Sequence, residues 1–126
     1  MLPDSPVAWS ATALSRAIHA RELSCREVMA AFLAQVDRLN PTHNAIVSRI
    51  DNDALFAEAD ERDRQLEAGR SMGWMHGFPM AIKDLSATAG VLTTLGSPLL
   101  ATHVPASDAI MVERMKAAGG IVIGKS

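Results

Sequence analysis

The sequence contains a single cysteine, Cys25, among its 126 residues. One cysteine excludes an intramolecular disulfide, and such sparing use is typical of proteins in a reducing compartment. Cys25 lies in a segment with helical spacing, and no local feature marks its thiol as reactive. Cysteine usage therefore favours a cytoplasmic location.

Positive charge and long apolar runs are also scarce. The 12 Lys and Arg residues against 14 Asp and Glu residues give a net charge of −2, so no basic surface favours nucleic acid or an anionic membrane. No segment approaches the ~20 apolar residues of a membrane-spanning helix. Met1–Asp4 lacks the basic start and apolar run of a signal peptide. We expect a cytoplasmic protein without nucleic-acid or membrane partners.

Closely spaced metal ligands are absent as well. The four histidines stand far apart in the sequence, at His19, His43, His76 and His103. Zinc sites use ligands in short, paired spacings, so we expect neither a metal nor another cofactor. With 48% hydrophobic and 21% charged residues, the composition is that of an ordinary globular protein. A chain of this length is sufficient for one modest core but short for two domains.

A short apolar stretch that ends in a lysine, Gly77–Asp84, contains the candidate for chemistry. Pro79 is tolerated at the first residue of a strand, and Met80–Ile82 continue as a buried strand. Lys83 then lies at the inner end of the strand. Apolar surroundings lower the pKa of a lysine by up to ~3 to 5 units, and the neutral amine can activate a hydroxyl nucleophile. The residues alone leave the alternative open that Lys83 and Asp84 form a solvated pair.

Helical patterns dominate residues 1–69, which we interpret as a helical entry region. Ser24 and Glu27 have the spacing of a capping box, which starts a helix. Pro41 is expected to end that helix just after residue 40, and Gly69 is expected to end a third helix. The predicted helices cover residues 10–21, 24–40 and about 51–67.

Residues 70–126 read as an α/β region, so the chain is predicted to be one domain. Residues 85–107 are long and irregular, and we expect a folded loop near a site, with a surface connector as the alternative. Asp108 is predicted to cap a helix over residues 109–118, with Met111, Met115 and Ala118 facing the core. Residues 121–123 are predicted to form a buried parallel strand.

The last eight residues, Gly119–Ser126, match the written Walker A pattern G-x-x-x-x-G-K-[ST]. A phosphate loop needs a strand before it, a flexible loop within it and a helix after it. Here a predicted helix precedes the motif, and the supposed loop is the β-branched run Ile-Val-Ile. Nucleotide binding is therefore not expected.

An ordered set of short motifs carries a resemblance to a known family. The set comprises Gly77-x-Pro79-x-Ala81-Ile82-Lys83-Asp84, Gly90-x-x-Thr93-Thr94-x-Gly96-Ser97, Asp108 with Val112, and Lys116-Ala117-Ala118-Gly119-Gly120-x-x-x-Gly124-Lys125-Ser126. Glu22-Leu23-Ser24, Leu39-Asn40-Pro41 and Asn44-Ala45 precede it. Together these motifs closely resemble the N-terminal portion of the amidase signature family.

The resemblance implies both a fold and a chemistry. The fold is α/β: N-terminal helices followed by the first strands of a mixed sheet sandwiched by helices, incomplete relative to the family domain. The chemistry is amide hydrolysis by a nucleophilic serine, a second serine in a cis peptide and a lysine. Lys83 corresponds to that lysine, and Lys125 belongs to a motif associated with the fold. The family's two serines lie downstream of the segment that matches Gly124–Ser126, so the chain alone is expected to be inactive.

Three interpretations stay open at this point. The first is a fragment of an amidase that acts on a small-molecule amide. The second is the ammonia-releasing component of a glutamyl-tRNA amidotransferase-like complex, its A subunit, which requires partner proteins. The third is a non-catalytic interaction module or homo-oligomer formed through incomplete sheet edges, because strands without partners recruit other chains.

Overall fold

The computed structural model describes residues 4–126. These residues form four α-helices and three strands, with short 3₁₀ helices at Pro6–Ala8 and Pro98–Leu100. The elements are α1 (Ala11–His19), α2 (Cys25–His43), β1 (Ser48–Arg49), α3 (Asn52–Glu67), β2 (Pro79–Ile82), α4 (Ile110–Ala117) and β3 (Ile121–Lys125). Of the segment Met1–Asp4, whose sequence argues against a signal peptide, only Asp4 lies within the described residues. No helix within residues 4–126 is long and apolar enough to cross a bilayer.

The start of α2 is fixed by side chains from two helices. Ser24 and Glu27 form the predicted capping box. The carboxylate of Asp63, on α3, accepts hydrogen bonds from the backbone N–H groups of Cys25 at 2.7 Å and Arg26 at 3.1 Å. Acceptors at a helix N-terminus satisfy N–H groups that have no partner within the helix. Asp63 therefore docks α3 against the first turn of α2.

The predicted end of α2 is wrong. The helix continues through Pro41 to His43, and Asn44 closes it in the left-handed conformation with φ of 46°. Proline removes one helical hydrogen bond, but the N–H of Asn44 still bonds the carbonyl of Asn40 at 2.7 Å. The Asn40 side chain also bonds the backbone N–H and C=O of Ile46. These contacts hold the last turn in place around the proline.

The three strands form one mixed sheet in the order β1-β3-β2. β3 lies between the other two strands, parallel to β2 and antiparallel to β1. This arrangement confirms the mixed α/β fold class and the parallel strand predicted at residues 121–123, which extends to Lys125. A Cβ atom at Gly124 would lie 2.5 Å from the carbonyl oxygen of Ser48. The close approach of β1 to β3 therefore requires glycine there.

The β2–β3 ladder contains one extra residue on β3. Met80 is paired with Val122 and the next residue, Ala81, with Gly124, so Ile123 is left over. Such a bulge changes which residues share a face of the sheet, because side chains alternate with a period of two. As a result Lys125 pairs with Ile82.

The start of α4 differs from the prediction. Ala109 occupies the N-cap position without a side-chain hydrogen bond, and α4 begins at Ile110. The Asp108 carboxylate instead accepts hydrogen bonds from Lys116 Nζ, at 2.8 and 2.9 Å, and from the backbone N–H of Ala89 at 2.7 Å. The Asp108 side chain, which the local sequence predicts as the helix cap, instead forms an ion pair with Lys116.

The core-facing side of α4 also differs from the prediction. Val112 is fully buried and Met111 is half exposed, although Met115 and Ala118 pack against the core as expected. The helix is rotated so that Val112 faces the sheet. Three methionine and alanine positions at helical spacing were therefore not enough to identify the buried side.

The turn before β2 packs directly against α2. Gly77 has φ of +78°, and a Cβ atom built on it would lie 2.3 Å from Cys25 Sγ and 2.8 Å from Cys25 Cβ. Positive φ disfavours residues with a Cβ atom, and the sulfur atom leaves no space for one. Gly77 thus brings the chain that enters β2 into contact with the buried start of α2.

We expect Gly77→Ala to lower the free energy of unfolding by about 2 to 4 kcal/mol, from left-handed strain plus overpacking. Gly69→Ala is the matched control, since Gly69 has φ of +71° and no atom within 4 Å of the added Cβ. The control should lower the free energy of unfolding by only about 1 to 2 kcal/mol. Urea unfolding of the two variants measures the difference, and equal losses would contradict the contact with Cys25.

Candidate active site

Lys83 follows β2 directly, on the face of the strand that the rest of the chain leaves open. Met80 and Ile82 are buried, whereas Ala81 and Lys83 are exposed. Side chains of a strand point alternately to opposite faces, so one face of β2 packs on the core and the other faces outwards. Lys83 extends this outward face.

The prediction that Lys83 lies among apolar groups is wrong for these residues, because its side chain is exposed. No described residue covers the outward face of β2 at this point. Lys83 directly follows the predicted strand, whose last residue is Ile82. The catalytic role of Lys83 stays a prediction. That role requires an apolar environment, and residues 4–126 leave the side chain exposed.

The end of β3 lies beside Lys83. The N–H of Ser126 donates to the carbonyl of Ile82 at 2.9 Å, and the N–H of Asp84 donates to the carbonyl of Ser126 at 2.8 Å. These two bonds continue the parallel ladder past β2, so Lys83 and Ser126 lie side by side. The backbone around Lys83 is therefore held by the last residues of the central strand.

Lys83 lines an open cleft of about 400 Å³. Three exposed apolar side chains, those of Val47, Leu85 and Leu95, line the same cleft. Asp84, Thr94, Gly96 and Ser126 complete its wall. A concave, largely apolar surface with a few polar groups is the usual form of a small-molecule site.

Asp84 holds the loop that forms one wall of this cleft. Its carboxylate accepts hydrogen bonds from the Thr94 hydroxyl at 2.5 Å and the Thr94 backbone N–H at 3.0 Å. Partial burial by itself raises the pKa of Asp84, but the hydrogen bonds from Thr94 outweigh it and hold the pKa below its ordinary value. Asp84 is thus engaged with Thr94, and the ion pairs found among residues 4–126 do not include the solvated Lys83–Asp84 pair of the alternative interpretation.

Lys125 is the group that sequence reasoning underestimated. Its side chain is fully buried, and Nζ donates to the carbonyl of Ser86 at 2.5 Å and to the hydroxyl of Thr88 at 2.6 Å. Loss of solvation lowers the pKa of Lys125, while Asp84 and Asp108 oppose that effect. The signal available in the sequence was its place directly after the apolar run Ile121–Gly124. Because this run is a strand preceded by α4, the Walker A interpretation is excluded.

His76 and Cys25 are buried in the core. No group of three or more His, Cys, Asp or Glu side chains within residues 4–126 could hold a metal ion. Both ring nitrogens of the buried His76 are occupied, by the N–H of Met72 at 3.0 Å and the carbonyl of Arg62 at 2.9 Å. Burial, followed by the nearby Asp63 carboxylate, raises the pKa of the Cys25 thiol to about 12. Such a thiol is a poor nucleophile.

Comparisons with known proteins identify the family of this chain. The model of the Amidase family matches residues 27–126. An acylamidase of Rhodococcus erythropolis is 38% identical over 93% of this chain and 24% of its own length. The A subunit of the glutamyl-tRNA(Gln) amidotransferase of Azoarcus sp. is 40% identical, over 93% of this chain and 24% of its own length.

Solved structures share the fold. The peptide amidase of Stenotrophomonas maltophilia superposes with a TM-score of 0.86 at 32% identity, over 95% of this chain and 25% of that enzyme. The chain thus spans about a quarter of the length of the relatives it matches. With four-fifths of its residues matched by the family model, the chain belongs to the amidase family.

Proposed function

We propose that this chain forms the amino-terminal part of an amide hydrolase in which Lys83 is the base. The observation that carries the proposal is the position of Lys83, on the outward face at the end of β2 and beside the end of β3. In parallel sheets, ligands bind outside the carboxyl ends of the strands. Lys83 is at that edge and lines an open cleft.

The chemistry proposed for Lys83 is proton transfer through serine hydroxyls. As a neutral amine, Lys83 would accept the proton of a bridging serine while that serine takes the proton of the nucleophilic serine. The nucleophile oxygen then attacks the amide carbonyl carbon, and the proton returns to the leaving amine as the C–N bond breaks. Water hydrolyses the acyl-serine and regenerates the enzyme. Both serines are proposed to come from outside the motifs present in these residues.

The exposure of Lys83 sets a condition on this proposal. A lysine amine is a base near neutral pH only when its surroundings are desolvated. Further protein packed on the outward face of β2 would bury Lys83, Leu85 and Leu95 together. The apolar character of the cleft supports such packing, because exposed apolar patches mark surfaces that contact other groups.

The substrate is proposed to be a small-molecule amide, and a reducing cytoplasm is the proposed location. A second candidate function is supported by the 40% identity to the A subunit of an amidotransferase. In that case the same lysine would serve to release ammonia within a multi-protein complex. The two candidates share Lys83 and differ in whether partner proteins are required.

In the full-length enzyme, we expect Lys83→Ala to lower kcat by at least about 10² to 10⁴, the contribution typical of general acid–base catalysis. Lys116→Ala is the control, because Lys116 is an ion-paired lysine on α4 that the proposal does not use. Turnover of simple amides and thermal unfolding are measured on both variants. Unchanged kcat in a folded Lys83→Ala enzyme would eliminate Lys83 as the base.

The isolated 126-residue chain should not hydrolyse simple amides. A lysine without an oxyanion site cannot run acyl transfer efficiently, since each missing donor costs about 10² to 10³ in rate. Ammonia release from acetamide or benzamide, compared with the Lys83→Ala chain, tests this expectation. Turnover that depends on Lys83 in the isolated chain would refute it.

The third interpretation, self-association, is supported by the place of β2 in the sheet. β2 pairs only with β3, which leaves its other edge without a strand among the described residues. Unpaired edges recruit further strands. We expect the isolated chain to form dimers or larger species as its concentration rises in sedimentation experiments. A monomer at every concentration would argue against this interaction.

A further inference from the structure

Lys125 joins the end of the central strand to the loop that follows β2. Its fully buried Nζ donates to the Ser86 carbonyl and the Thr88 hydroxyl, and both acceptors belong to this loop. A buried ammonium group requires such partners, because burying an unpaired charge is strongly unfavourable. The contact therefore fixes the position of the loop relative to β3.

The same loop begins at Lys83. The N–H of Ser86 donates to the carbonyl of Lys83 at 2.9 Å, which closes a tight turn. Ser86 is held on one side by the backbone of Lys83 and on the other by the ammonium group of Lys125. The path from Lys125 to Lys83 thus consists of two consecutive hydrogen bonds.

The bulge at Ile123 assigns the two lysines to opposite faces of the sheet. Pro79 is paired with Ile121. If this register continued without a bulge, Lys83 would pair with Lys125, and both ammonium groups would lie on one face of the sheet. In the observed register Lys125 pairs with Ile82, whose side chain is buried. A shift of one residue exchanges the faces. Lys125 therefore supports the turn from the core side while Lys83 faces the open cleft.

A purely stabilising role does not account for this arrangement. If the Lys125 amine were removed, the Ser86 carbonyl would still accept a hydrogen bond from the Thr88 hydroxyl at 3.1 Å. The Thr88 hydroxyl would keep this bond as a donor, so neither oxygen would be left without a partner. An apolar side chain of similar volume also avoids the cost of burying a charge. What the amine adds is the link between β3 and the turn.

We propose that Lys125 is a positioning residue, which holds the turn after β2 so that Lys83 projects into the cleft in the geometry that proton transfer needs. This inference rests on the proposed hydrolase function. Lys125 acts through the turn and does not itself touch substrate. A displacement of about 1 Å at a catalytic group can lower the rate ~10²-fold.

The test is Lys125→Met in the full-length enzyme, which removes the amine and keeps a side chain of similar length. We expect kcat to fall about 10- to 100-fold, while KM changes less than about threefold and the melting temperature does not fall. Arg64→Met is the control, because it removes a cation whose bonding partner, Glu61, lies on the same helix, α3, away from the loop after β2. Its kcat should stay within about twofold of the parent enzyme.

Two outcomes separate this inference from the proposed function. Loss of turnover in Lys83→Ala together with normal kcat in a folded Lys125→Met enzyme would overturn the positioning role and leave the hydrolase proposal standing. Normal turnover in Lys83→Ala would overturn the hydrolase proposal and the positioning role with it. If Lys125→Met does not fold, the test uses Thr88→Val, which removes one acceptor of the Lys125 amine. We expect a several-fold lower kcat in this variant. An unchanged kcat would overturn the positioning role.

Hydrogen exchange on the 126-residue chain tests the link without any activity. In Lys125→Met the amides of Ser86 and Asp84 should exchange at least about tenfold faster, because the turn is no longer held to β3. The amides of α1 and α2 serve as internal controls and should be unchanged. Equal exchange at Ser86 in the parent and variant chains would show that Lys125 does not hold the turn.

Discussion

β3 runs through the middle of the sheet, and its parallel ladder with β2 contains one extra residue at Ile123. That single residue sets the register of everything beyond it. It pairs Lys125 with Ile82 and so directs Lys125 into the core, while Lys83 stays on the outward face. Side chains alternate between the two faces along a strand. A substitution at either lysine could therefore not move the two positions to opposite faces of the sheet. The arrangement of the candidate site depends on this register.

The polar groups around the end of β3 form a connected cluster. Lys125 bonds the turn at Ser86 and Thr88, and the Asp108–Lys116 ion pair also bonds the N–H of Ala89. Asp84 accepts from the backbone and hydroxyl of Thr94. These contacts give the irregular stretch after β2 a defined path, although it contains little regular secondary structure. A loop held at both ends is suited to carry functional groups on a rigid sheet.

The helical part provides the support for the sheet. Asp63 connects α3 to the first turn of α2, and Gly77 allows the chain entering β2 to pack on Cys25 in that same turn. The core formed there is apolar and continuous with the buried residues of β3. The chain belongs to the amidase family and spans about a quarter of the length of the relatives it matches.

The sequence by itself determined the features that depend on neighbours a few residues apart. The capping box at Ser24 and Glu27, the strand that ends before Lys83, the buried run at residues 121–123 and the α/β class were all predictable, because each follows from local spacing. The family resemblance was likewise visible in the motifs. The loop after β2 was correctly expected to be folded, but its partners were not.

Only the tertiary structure decided where the charged side chains of the site region go. Asp108 bonds Lys116 rather than capping α4, α2 continues through Pro41, and Lys125 is buried while Lys83 is exposed. Lys125 and Ser86 are 39 positions apart in the chain, and their contact requires both the sheet register and the path of the loop. Burial of a charge depends on such distant partners, and so local pattern alone could not predict it.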